Sequence, residues 1–135
     1  MGCCYNVSNL DQEFISITSI EELERYLTKK TVSFQLEIEQ IKSHLKDPNT
    51  SVDYIDITNM TDEHLHKRIG FLDELKNTYI KIVELLKGKE HLLKIEEVKI
   101  KLNNVIDKYL NIYDPNNELE EYYEEFENYV KQTVQ

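Results

Sequence analysis

The sequence has little of the material that tight turns and disulfide frameworks need. Its 135 residues include three glycines, two prolines, two cysteines and no tryptophan. All-β architectures need frequent turns, so the scarcity of glycine and proline disfavours them. The two cysteines are adjacent, at positions 3 and 4, and support neither a disulfide framework nor a cysteine-based zinc site.

Long hydrophobic runs and an excess of basic residues are also missing. No run approaches the roughly 18 to 20 apolar residues of a membrane span. The N-terminus lacks the basic-then-apolar pattern of a signal peptide, so a cytoplasmic protein is expected. The net charge of −10 argues against a nucleic-acid partner, because phosphates are bound by basic surfaces. With 40% hydrophobic and 31% charged residues, the composition is that of one globular domain.

Apolar residues recur at steps of three and four on both sides of Gly88, which is the spacing of one helical face. Gly88 follows Lys87 where a left-handed C-cap is expected, so we predict two antiparallel helices joined at this glycine. The apolar stripe consists of Leu65, Ile69, Leu72, Leu75, Tyr79, Ile82, Val83 and Leu86 before Gly88, and Ile95, Val98, Leu102, Val105, Tyr109 and Ile112 after it.

Two further helices flank this hairpin. The first begins after Ser19, which can form a capping box with Glu22, and ends before Pro48. The last follows Asn117 and is acidic. We therefore predict an all-α four-helix bundle in which residues 1–13 precede a single domain, 14–135. Its helices are expected at about 19–46, 61–87, 89–112 and 117–132.

Two short β-prone stretches precede helix starts, at 14–18 and 54–58. We interpret both as extended lead-ins whose apolar residues pack on the helix that follows. The alternative is that the two stretches pair as a small two-stranded element.

The N-terminus approximates an acylation signal. Gly2 follows the initiator methionine as in an N-myristoylated protein, although Asn6 stands where the consensus has Ser or Thr. Cys3 and Cys4 are placed where S-acylation would add a second anchor, and two chains make membrane attachment durable. The alternative is an ordinary N-terminus with two thiols. Acylation further requires a eukaryotic cell.

Two stretches resemble a known family. Met1–Tyr5 is similar to the start of the doubly acylated scaffold subunit of Ragulator, the late endosomal and lysosomal adaptor (LAMTOR family). Residues 55–58 resemble a short apolar-Asp-apolar-Ser/Thr element of the same family. The resemblance implies a lysosomal tether for small α/β subunits and Rag-type GTPases. It also implies myristoylation of Gly2 and palmitoylation of Cys3 and Cys4. The chain lacks the long polar segment that follows the acylated N-terminus in that family.

Few residues have a spacing that suits catalysis or metal binding. Glu63 and His66 have the Glu-x-x-His spacing of a di-iron bundle, but that chemistry needs a second copy and none exists. His64 and His66 point to different sides of a helix. No glycine-rich phosphate loop and no arrangement typical of nucleophilic catalysis is present. We predict no catalytic residue, metal or cofactor, and a protein that is not an enzyme.

The acidic C-terminal helix is the other distinctive stretch. Its glutamates lie away from an aromatic stripe, as in any solvated amphipathic helix, and we favour a structural role. The alternative is a partner-binding helix anchored by Tyr122, Phe126 and Tyr129, because aromatic residues make strong interface anchors.

These observations predict a non-catalytic adaptor or scaffold, tethered through N-terminal lipid to the cytoplasmic face of an endomembrane. The alternative is a soluble acidic inhibitor, or an immunity or effector-type protein, that binds a basic protein partner. A homo-oligomer formed through an exposed heptad face is also compatible with the periodicity.

Overall fold

All regular secondary structure in the described part of the chain is α-helical. The computed structural model describes residues 12–47, 61–108 and 119–134. The all-α prediction is therefore confirmed. Within the described ranges the helices are α1 (Gln12–Ile15), α2 (Ile20–Lys46), α3 (Asp62–Leu86), α4 (Ile95–Lys108) and α5 (Leu119–Thr133).

The two long helices begin where hydroxyl side chains cap them. The Ser19 hydroxyl accepts from the backbone N–H of Glu22 at 3.1 Å. The Thr61 hydroxyl accepts in the same way from His64 at 3.2 Å. Each cap satisfies one backbone donor that the first turn of a helix leaves without an intrahelical partner. The predicted starts of α2 and α3 are thus confirmed.

The start of α4 was predicted too early. The helix begins at Ile95, not at residue 89, and residues 87–94 form turns and bends instead. Gly88 has the predicted positive φ, at 80°. Past it, the N–H of Leu92 donates to the carbonyl of Lys89 at 2.9 Å. These turn hydrogen bonds and the burial of Leu93 keep residues 89–94 from becoming helical. Helix α4 therefore begins about two helical turns later than predicted.

Phe14 and Ile15 are helical, so the extended interpretation of 14–18 is wrong for these two residues. They end α1, where the Ser16 hydroxyl donates to the carbonyl of Gln12 at 2.8 Å. A hydroxyl that bonds to the preceding turn competes with helix continuation. Phe14 and Ile17 are buried, as expected for a lead-in that packs on the next helix. The counterpart at 54–58 lies outside the described residues.

The predicted stripes face a common core. The most extensive helix pair is α2 against α3, which run antiparallel with the rings of Phe34 and Tyr79 5.2 Å apart. Helix α5 packs on both α3 and α4. Ile69 and Ile95 are partly buried, and Tyr109 and Ile112 lie outside the described residues. The predicted stripe residues that are buried are Leu65, Leu72, Leu75, Tyr79, Ile82, Val83, Leu86, Val98, Leu102 and Val105.

Candidate functional site

Helix α5 directs its apolar side into the bundle. Leu119, Phe126 and Val130 are buried with at most 1% of their surface exposed. Phe126 therefore cannot act as a surface anchor in this fold, and that part of the partner-binding hypothesis is wrong. Tyr122 and Tyr129 are partly buried against the core. The favoured structural role of this helix agrees with its packing.

Tyrosines at the edges of α5 tie it to its neighbours. The Tyr129 hydroxyl donates to Glu97 of α4 at 3.2 Å, and the ammonium of Lys101 lies 5.7 Å from the Tyr129 ring. On the other side, the ammonium of Lys81 in α3 lies 5.3 Å from the Tyr123 ring. Burial first, and neighbouring glutamates second, raise the pKa of both tyrosines. Both phenols therefore stay neutral hydrogen-bond donors over a wide pH range.

The outer side of α5 is a dense acidic surface. Glu120, Glu121, Glu124 and Glu125 are all exposed. Their spacing places them on one side of the helix, within two turns. We call this set the acidic face of α5. Like charges packed this closely produce a strong local negative potential, which favours contact with a basic surface.

A buried ion pair joins α2 and α3. The side chains of Glu37 and Arg68 are 5% and 9% exposed. Both Nε and Nη2 of Arg68 donate to Oε2 of Glu37, the first at 2.6 Å. Nη1 of Arg68 is buried and makes no hydrogen bond to any residue that the structure describes. Nothing in the sequence spacing singles out this pair. Its only signal is that two opposite charges interrupt apolar stripes.

A second polar cluster lies where α2 meets the connection between α3 and α4. Here an open groove of about 520 Å³ is lined by side chains that include Glu24, Arg25 and Lys87. Burial and a hydrogen bond to Glu90 raise the pKa of Glu24 to about 7. The pKa of Glu90 is lowered, first by its own backbone N–H and then by Glu24.

The remaining candidates are surface residues or lie outside the described residues. Glu63 forms an exposed ion pair with Lys67 at 3.4 Å, and His66 bonds to the carbonyl of Asp62. In the part of the chain that the structure describes, no group of three or more metal-ligating side chains is arranged to hold an ion. Gly2, Cys3 and Cys4 are not among the described residues.

None of the described helices is both long enough and apolar enough to cross a bilayer. No family model, curated protein or solved structure matches the chain. What the protein binds must therefore be inferred from its own surface chemistry.

Proposed function

We propose that the chain is a non-catalytic protein-interaction module that binds through the acidic face of α5. The observation that supports this is the contrast between the two sides of one helix. Phe126 and Val130 anchor the inner side in the core, while four glutamates on the outer side remain exposed. A helix held in this way presents charges in fixed positions, which lowers the entropic cost of binding.

The expected partner is a protein with a basic surface. Complementary charge speeds encounter and orients the two partners more than it adds affinity. The acidic face of α5 would serve either of two roles. An adaptor would use it to tether a partner protein, and a soluble inhibitor would use it to block one. The two differ in whether the N-terminus is attached to a membrane.

Replacing the four glutamates of the acidic face with glutamine should weaken binding of a fluorescent arginine-rich peptide by about tenfold at low salt. Four exposed charge pairs at about 0.2 to 1 kcal/mol each give about 1 to 4 kcal/mol, and a tenfold change, about 1.4 kcal/mol, lies at the lower end of this range. Fluorescence anisotropy measures the dissociation constants, and added salt should reduce the difference between the proteins.

The matched control replaces four exposed glutamates on other helices, namely Glu39, Glu63, Glu84 and Glu96. It changes the net charge by the same amount at other positions, and the two ion pairs that it also removes, of Glu63 with Lys67 and of Glu96 with Lys99, should contribute little to stability. Equal weakening in both variants would mean that total charge, and not the acidic face of α5, attracts the peptide.

We also propose that the N-terminus tethers the module to an endomembrane. The support is the sequence Met1–Tyr5, with its resemblance to the Ragulator scaffold subunit. In a eukaryotic cell the protein should incorporate a myristate analogue and sediment with membranes. Gly2→Ala should move it to the soluble fraction, and serine at positions 3 and 4 should weaken retention. An unmodified intact mass from such a cell would refute this proposal.

A further inference from the structure

The short helix α1 and the two residues after it lie against α2 and α4. We call these residues, 12–17, the strap. On the α2 side, the ring centroids of Phe14 and Tyr26 are 5.8 Å apart. An exposed ion pair joins Glu13 to Lys29 at 3.4 Å on the same side. Because a helix of four residues is not stable by itself, tertiary contacts of this kind hold the strap in place.

On the α4 side, an open groove of about 370 Å³ lies beside the strap. Two apolar side chains in its lining remain accessible, since Ile15 of the strap is 38% exposed and Ile100 of α4 is 72% exposed. Apolar packing is therefore incomplete between the strap and α4. The groove is lined by Phe14, Ile15, Glu96, Lys99, Ile100 and Asn103.

Lys99 of α4 bonds to the end of the strap. Its ammonium donates to the carbonyl of Ile15 at 2.8 Å and to that of Ile17 at 2.9 Å. The carboxylate of Glu96 lies 3.6 Å from the same nitrogen. Carbonyls at the end of a helix lack intrahelical donors, so the lysine satisfies acceptors that the strap cannot satisfy itself. The Lys99 side chain is only 15% exposed, and these three oxygens match the three N–H donors of an ammonium.

We propose that the strap detaches from the bundle as a unit and that Lys99 is the residue that fastens it. In the detached form, water replaces Lys99 at the two carbonyls, and Phe14 and Ile17 leave the core. The other helices keep their mutual packing, because α2 packs on α3, and α5 packs on both α3 and α4, without the strap. An element with few buried side chains at the edge of a fold is the kind that opens locally.

Detachment lengthens the segment that precedes the bundle. Six extended residues span about 20 Å. In a chain tethered to a membrane through residues 1–11, Lys99 therefore controls how far the acidic face of α5 can stand from the bilayer. This consequence alone rests on the proposed tether.

Amide hydrogen exchange of the full, unacylated chain, followed residue by residue by NMR, tests the fastening. Lys99→Met keeps the apolar stem of the side chain and removes the ammonium. The amides of Ser16 and Ile17, which donate to carbonyls within the strap, report its opening. Their protection should fall by at least about tenfold, because a hydrogen bond from a charged donor commonly changes an equilibrium constant by such a factor. Protection in the middle of α2 and α3 should stay unchanged.

The matched control is Lys94→Met, which removes an exposed lysine just before the same helix and should leave the strap protected. Unchanged protection of Ser16 and Ile17 in Lys99→Met, or an equal fall in the control, would overturn the proposal. A loss spread evenly over all helices, or a variant that does not fold, would also overturn it, because Lys99 would then hold the bundle and not a separable strap. Unacylated protein keeps each of these outcomes independent of the proposed tether.

Discussion

Ending the chain after Asp114 should lower the melting temperature steeply or yield a product that aggregates. The truncation removes Leu119, Phe126 and Val130 from the core and uncovers the side chains of α3 and α4 beneath them. Burial of such side chains contributes about 1.5 to 3 kcal/mol each, before ordering costs. A domain whose net stability is about 5 to 15 kcal/mol cannot lose this cover without a large change. Circular dichroism on heating measures the effect.

Point substitutions on α5 provide the control. Phe126→Ala should cost about 3 to 5 kcal/mol in urea denaturation, because it leaves a cavity in the core. Glu125→Ala, next to it but exposed, should stay within about 0.5 kcal/mol of the wild type. A truncated protein that melts like the full chain would exclude α5 from the core. The acidic face would then not be a rigid surface.

Glu37→Ala should be among the most destabilising single substitutions in the chain, at about 3 to 5 kcal/mol. It leaves the Arg68 guanidinium buried without its carboxylate, and Nη1 of that guanidinium already lacks a hydrogen bond to the described part of the chain. The cost arises from an uncompensated buried charge more than from the lost attraction. Urea denaturation monitored at constant pH gives the free energy of unfolding.

Replacing both partners should reverse the loss. A Glu37→Met, Arg68→Met variant removes the buried charges and keeps most of the volume, so its stability should match or exceed that of the wild type. The exposed pair Glu63–Lys67 is the control, since its loss should cost less than about 1 kcal/mol. A double variant as unstable as Glu37→Ala alone would show that packing, and not charge, decides this position.

Much of the fold was predictable because helix periodicity and capping are local. Leu72, Leu102 and Phe126 are buried where the spacing of three and four placed them. Ser19 caps α2, and Gly88 has the expected positive φ. Each of these depends on residues within about one helical turn, so the chain order alone specifies it. The acidic side of α5 follows from the same periodicity.

Local pattern was insufficient where several short-range interactions compete. Phe14 and Ile15 are β-prone residues, yet they lie in a helical turn. The ring centroids of Phe14 and Tyr26 are 5.8 Å apart in this packing. Helix α4 begins at Ile95 and not at residue 89, because turn hydrogen bonds and the burial of Leu93 keep residues 89–94 non-helical. In both places the burial of an apolar side chain, Phe14 or Leu93, acts together with local hydrogen bonds and outweighs weak propensity.

The sequence by itself determined that the chain has four long helices, which of their sides are buried, and the outward position of the α5 glutamates. It did not determine the short helix α1 or the start of α4. Only the tertiary structure decided that α5 covers both α3 and α4 and that Glu37 meets Arg68. Periodicity specifies a face within one helix. Periodicity contains no information on the register of two packed helices, that is, on how far one is shifted or rotated against the other. This register decides which charged residues, far apart in the sequence, lie side by side.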